Sequence, residues 1–124
     1  MEFRQARPIY MQIADDICER ILQGTWKEGD RIPSIREMAM EVQVNPNTVV
    51  RTFNTLQDRD IIQNQRGLGY FVAEGAAERT KRLMKEEFIT NELPVVFRKL
   101  EILGIGFEEL KELYEEAAAK GARR

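Results

Sequence analysis

Asn47, Arg51 and Asn54 recur at intervals of four and three residues, with Thr48 and Thr55 beside them and no carboxylate before Asp58. At about 100° per residue these side chains share one side of a helix. A solvated helix face usually mixes Glu with Lys. Here the groups are amides and a guanidinium, which can pair in bidentate fashion with adenine and guanine in a DNA major groove. A merely polar surface is the plain alternative. Arg36 lies upstream of this set and Arg66-Gly67 downstream. A guanidinium at Arg66 could reach a phosphate or the minor groove, and Gly67 would let the backbone come close. Tyr10, Thr48 and the helix-terminal groups around Asn45 suit phosphate contacts, which fix register without carrying sequence information.

Other chemistry is poorly provided for. The chain has no histidine, and Cys18 is its one cysteine. An intrachain disulfide is therefore impossible, a zinc site would lack its usual ligands, and imidazole catalysis is excluded. Cys18, beside Ile17, reads as a small buried group. Gly67 and Gly69 precede a strand, not a helix, so they do not form a nucleotide loop. Neither an enzyme nor a cofactor is expected.

Charge sets a limit on DNA binding. Nineteen basic and 21 acidic residues give a net charge of −2. Division at Gly75 leaves 9 Lys+Arg against 11 Asp+Glu before it, and 10 against 10 after it. No global field draws this chain to a polyanion, so contact must rest on locally arranged arginines. No apolar run approaches a membrane span, and Met1-Glu2-Phe3-Arg4 lacks a signal-peptide core, so a cytoplasmic location is expected.

The elements needed to position these groups can be read in order. Pro8 to Gly24 forms a first helix, with Ile9, Ile13, Ile17 and Ile21 at i+4 and Leu22 widening the stripe. Arg4 and Arg7 precede it and either add to the basic patch or belong to a flexible terminus. Arg31-Ile32 can make a short strand that Pro33 ends. Ser34-Ile35-Arg36-Glu37 is a capping box, opening a second helix from about Ile35 to Val42 with Ile35, Met38, Ala39 and Val42 inward. Asn45 caps a third helix that Pro46 begins and that runs to about Arg59, its core face made by Val49, Phe53 and Leu56 with Thr52 beside them.

Two capped helices across so tight a turn form a helix-turn-helix. Arg36, in the first turn of the second helix, would lie near the start of the third. A hairpin follows, with strands at 61–65 and 70–72 joined by Arg66-Gly67-Leu68-Gly69, in the position of a wing. The fold class expected is α+β: a winged helix-turn-helix over residues 1–75, followed by two C-terminal α-helices over 76–124. Gly75-Ala76-Ala77 reads as the hinge between them. The first C-terminal helix should kink or restart at Pro94, Gly104 and Gly106 should turn the chain, and a last helix should run from Phe107 to Ala119 before a frayed end.

Pro8-Ile9-Tyr10-Met11-Gln12-Ile13, Arg31-Ile32-Pro33-Ser34-Ile35-Arg36-Glu37-Met38-Ala39, Val44-Asn45-Pro46-Asn47-Thr48-Val49 and Arg66-Gly67-Leu68-Gly69-Tyr70-Phe71-Val72 resemble the N-terminal domain of GntR-type bacterial transcriptional regulators. The resemblance covers the first 75 residues. It implies that Arg36 contacts a base, that the start of the third helix enters the major groove, and that Gly67 touches the minor groove. Many members carry arginine where this chain has Pro46, so Asn47 or Arg51 would have to supply that readout. The short C-terminal part is similar to that of the YtrA-like branch, whose two helices mediate dimerisation.

The apolar pattern agrees with that implication. Leu83, Phe88, Val96, Phe97, Leu100 and Leu103 form a stripe too small to make a core alone, which suits a homodimer. The expected partners are thus a double-stranded DNA operator and a second copy. An effector of unknown chemistry would sit at the dimer interface or between the kinked helix and the winged helix. The expected function is sequence-specific transcriptional regulation, as a repressor on a pseudo-palindromic operator. The rival is a winged-helix protein-interaction module that does not bind DNA.

Overall fold

The structure, a computed structural model, describes residues 7–122. Arg4 and the terminal Arg123 and Arg124 lie outside the described residues. Helix α1 (Ile9–Leu22) follows Pro8, whose φ of −57° and ψ of 151° make it the residue before the helix. It buries Ile13, Ala14, Ile17, Cys18 and Ile21. Ile9 and Leu22, expected on the same stripe, are exposed at its two ends.

Local hydrogen bonds set the next two helices. At the start of α2 (Ile35–Val42) the Ser34 hydroxyl accepts from the Glu37 amide at 3.1 Å, and Glu37 Oε1 accepts from the Ser34 amide at 3.0 Å. Two donors that a helix start leaves unpaired are thereby satisfied. Gln43 turns left-handed at φ 56°, and the Val44 amide returns to the Ala39 carbonyl at 3.1 Å, closing α2. Helix α3 (Pro46–Asp58) starts at once: Asn45 Oδ1 accepts from the Asn47 amide at 2.8 Å, and Pro46 fills a position whose amide would have no partner.

Strands β1 (Ile62–Gln65) and β2 (Gly69–Val72) pair antiparallel, with Ile62 opposite Val72 and Gln65 opposite Gly69. The strand expected at Arg31-Ile32 reduces to a single bridge, Arg31 to Phe71. The Ile32 amide bonds the Tyr70 carbonyl at 2.9 Å, and Pro33 then removes the next donor. The core lies where the three helices meet the hairpin base. Ile17, Met38, Val49, Phe53, Leu56 and Ile61 are sealed from water there. Each such side chain contributes about 1.5–3 kcal/mol by burial. Tyr70 meets Phe53 edge-on, with centroids 4.7 Å apart and an interplanar angle of 74°, fixing the hairpin to α3.

The hinge expected at Gly75-Ala76-Ala77 is a locked joint. The Gly75 amide donates to Glu28 Oε1 at 2.7 Å, and Ala76 is fully buried. Helix α4 (Ala76–Glu87) adds buried Thr80 and packs Leu83 and Met84 against the core. Arg79 ties the joint further, donating through Nε to the Asp60 carbonyl at 3.0 Å and through Nη2 to the Glu74 carbonyl. The N-terminal compact unit consequently runs through Lys85, beyond the boundary expected at Gly75. The physical reason is the apolar side of α4, which the charged composition after Gly75 masks.

The second unit begins at Glu86. A π-helical turn, Phe88–Glu92, separates α4 from α5 (Leu93–Leu103). Pro94 explains it: proline cannot donate to the preceding turn and its ring needs room, so the helix widens there and restarts. Gly104, left-handed at φ 70°, ends α5. Helix α6 (Phe107–Ala122) continues past Ala119, so the segment from Lys120 to Ala122, expected to fray, is helical. No side chain from Glu86 to Gly121 is buried.

Candidate nucleic-acid interface

The exposed side of α3 is fixed by what its other side buries. Val49, Thr52, Phe53 and Leu56 face the core and are fully enclosed, which leaves Asn47, Arg51 and Asn54 on the outside. Thr52 does more than flank the core. Its hydroxyl donates to the Tyr10 carbonyl at 2.8 Å, tying the start of α1 to the middle of α3. The Arg51 guanidinium lies over the Tyr10 ring, 4.1 Å from its centroid. A cation on an aromatic face gains about 0.5–1 kcal/mol when exposed, enough to bias its orientation but not to lock it.

Tyr10, expected as a phosphate contact, therefore also supports Arg51. Sequence reading misses this link, and only a contact between residues so far apart in the chain could show it. Asn45 spends its carbonyl oxygen on the α3 cap, so only its amide NH2 remains to donate outward. Thr48 is half-buried, and its carbonyl accepts from Thr52 Oγ1 at 3.2 Å. Arg36 is exposed on the first turn of α2, and among the described residues no hydrogen bond or ion pair engages its side chain. Its neighbour Glu37 is held below the ordinary carboxylate value, first by the Ser34 amide and then by the Ser34 hydroxyl.

At the wing, Gln65 to Leu68 closes a turn through the Leu68 amide and Gln65 carbonyl at 2.8 Å. Gly67 supplies φ +78° at its third position, where an L side chain would be strained. Open space surrounds the place a Cβ would occupy, so another molecule's surface can approach. Arg66 beside it is exposed, and Leu68 is 63% exposed. Gly69 serves the fold instead. A Cβ there would come within 3.0 Å of Arg31 Nε, so its absence lets Arg31 lie across the hairpin.

Two other expectations meet the structure here. Cys18 is enclosed, and burial, with the nearby Asp15 charge second, pushes its thiol up to about 11. A thiol so suppressed is a packing group and not a nucleophile. Leu83, expected at a dimer interface, packs against the core of its own winged helix. Phe88, Val96, Phe97 and Leu103 remain exposed, and Leu100 is half-buried. Among the described residues no His/Cys/Asp/Glu group could hold a metal ion, and no helix is long and apolar enough to cross a membrane.

Taken together, the arrangement offers amide and guanidinium groups on one exposed helix face, a cation at the start of the preceding helix, and a glycine-tipped hairpin beyond. Comparison with known proteins agrees with it. The family model described as "Bacterial regulatory proteins, gntR family" matches residues 9–72. The HTH-type transcriptional repressor YtrA of Bacillus subtilis is 34% identical over 123 residues, covering 98% of this chain and 94% of that protein. A crystal structure of a GntR-family protein from Bacteroides thetaiotaomicron has 44% identity and a TM-score of 0.75, covering 92% of this chain and 99% of that one. The DNA-binding domain of AraR, solved in complex with operator ORR3, has 27% identity and a TM-score of 0.52, covering 53% of this chain and 80% of that one.

Proposed function

The chain belongs to the gntR family of bacterial regulatory proteins and is a DNA-binding transcriptional regulator, and we propose that it acts as a homodimeric repressor on a pseudo-palindromic operator. The observation that carries this reading is the acid-free exposed face of α3, with Asn47, Arg51 and Asn54 held by a sealed core behind them. Arg36 is the base-contacting residue of α2, Arg66 and Gly67 reach the minor groove, and Tyr10, Asn45 and Thr48 lie along the phosphates. The repressor named among the relatives and the operator complex of the AraR domain support both the sign of regulation and the kind of target.

The second unit supports the dimer reading. Among the described side chains of α5 and α6 none is buried, and α5 carries Val96, Phe97 and Leu103 in the open. Short helices without tertiary packing are marginal in water, so these need a second copy to cover them. Phe88, Val96, Phe97, Leu100 and Leu103 form that contact. Two recognition helices would then meet half-sites about one helical turn apart. Pairing also doubles the few arginines, which offsets the acidic balance.

The test is a gel shift with the full chain on DNA upstream of its own gene, repeated at increasing salt. Affinity should fall with a log–log slope on the order of −4 to −8, as expected for roughly five to nine neutralised phosphates. Arg36→Ala should reduce discrimination against scrambled DNA by about 1–3 kcal/mol. Binding that ignores salt would overturn the proposal. A protein-interaction module would instead tolerate Arg51→Glu with its regulation intact.

A further inference from the structure

Val50 sits on the exposed side of α3, three residues after Asn47 and four before Asn54, with Arg51 next to it. It is 37% exposed, whereas Val49 beside it is fully enclosed. A β-branched residue is a poor choice for an exposed helix interior, because its rotamers are restricted there. Lys, Arg, Gln or Glu would suit the helix better. Where local preference and position disagree in this way, a functional role is the expectation.

What that surface offers follows from the neighbours. Asn47 and Asn54 bracket Val50 with groups that pair with the N6 and N7 edge of adenine. The major groove presents one apolar feature, the C5 methyl of thymine, and every adenine there is paired with it. Arg51 is the guanine reader by type, but its guanidinium is drawn to the Tyr10 ring of α1. Tyr10 is itself tied to α3 through Thr52. That contact biases Arg51 toward one side of the face, and beside it the surface presents two amides and two methyl groups.

We propose that Val50 is a specificity residue that packs against the C5 methyl of a thymine in an A·T-rich part of each operator half-site, with Asn47 and Asn54 pairing to adenines around it. This rests on the DNA-reading function proposed above and names the base composition that function recognises. Arg51, supported by Tyr10, stands to one side of this apolar contact.

The experiment begins with selection of a preferred duplex from random DNA by the full chain. Each thymine is then replaced singly by deoxyuracil, which removes only the C5 methyl. One half-site thymine should respond, with affinity falling about fourfold, the factor that burying one methyl-sized group is worth. Val50→Ala should bind the thymine and uracil duplexes alike at that position, and Val50→Thr, which keeps one methyl, should retain a preference. Unchanged melting of both variants will show that folding is not the cause. Indifference of the wild type to every uracil, or equal sensitivity of Val50→Ala, would overturn the role of Val50 while leaving DNA binding intact. Failure to enrich any duplex would instead remove the proposed function itself.

Discussion

The two units of this chain place their apolar residues in opposite ways. Up to Lys85, Ile17, Val49, Phe53 and Leu56 are sealed from water, and what remains outside α3 is almost wholly polar. From Glu86 onward the sequence is no less apolar in character, yet Phe97 is 54% exposed and Leu103 is 70% exposed. The first unit is finished by its own packing, so its surface can be dedicated to recognition. The second leaves its apolar side chains in water. Exposed apolar side chains gathered on adjoining helices mark an interaction surface in a way that isolated ones do not.

The largest expected effect breaks the first unit and leaves the second alone. Phe53→Ala removes a fully enclosed ring that also supports Tyr70. It should destabilise the winged helix by about 3–5 kcal/mol. Cys18 offers an internal probe: enclosed, with its thiol raised to about 11, it should react with an alkylating reagent near neutral pH only when the winged helix opens. Phe53→Ala should accelerate that reaction by orders of magnitude. If Cys18 reacts at an unchanged rate, the two units do not differ in the way their burial indicates.

Phe97→Glu probes the other side of the comparison. Burying an aromatic anchor at an interface is worth on the order of 1–3 kcal/mol, so the dimer should weaken by roughly ten- to a hundredfold. Sedimentation equilibrium would measure the change, and Cys18 alkylation should stay slow throughout. Operator affinity should fall with it, because the second half-site is no longer tethered. A wild-type chain that sediments as a monomer at high concentration would end the dimer proposal.

Arg79 belongs to the joint that joins α4 to the winged helix. Arg79→Met keeps the length of the stem and loses the donors that hold the Asp60 and Glu74 carbonyls. The expected cost is about 1–2 kcal/mol, since those carbonyls can still turn to water. Hydrogen exchange should quicken at Ile61 and Ala76, and leave Phe53 protected. Uniform quickening through the core would mean that α4 is part of one cooperative structure with the winged helix, with no local joint to loosen.

How much of this is legible in the sequence depends on distance along the chain. The caps at Ser34 and Asn45 are readable because donor and acceptor lie within three residues. The inward face of Val49, Phe53 and Leu56 is readable because a helix has one period. Nothing local announces that Thr52 bonds Tyr10, that Arg51 lies on its ring, or that Glu28 holds Gly75. Those pairings depend on which elements become neighbours. The packing of Leu83 against its own winged helix is hidden for the same reason: an apolar stripe shows that a face is covered, and not by what. Periodicity does foretell trouble at Pro94, but the form it takes, a widened turn before the proline, is settled by how the freed carbonyls are accommodated.

The smallest effect concerns Glu37, whose carboxylate accepts the Ser34 amide at 3.0 Å and closes the cap beneath Arg36. That bond, with the Ser34 hydroxyl second, holds its proton affinity below the ordinary 4.5. A carboxyl group depressed in the folded state stabilises the fold above its unfolded value, and the contribution is lost as pH falls through the folded one. The wild type should therefore melt higher than Glu37→Gln near pH 7, and the gap should begin to close below about 4.5. The glutamine can still accept from Ser34, so the difference isolates the charge and not the hydrogen bond. Because Glu37 is exposed, solvent screening keeps the gap small, and raised salt should narrow it further. A gap that persists unchanged into acid would mean that the start of α2 is ordered by its packing through Met38 and Ala39 alone, and that the position of Arg36 owes nothing to the charged cap.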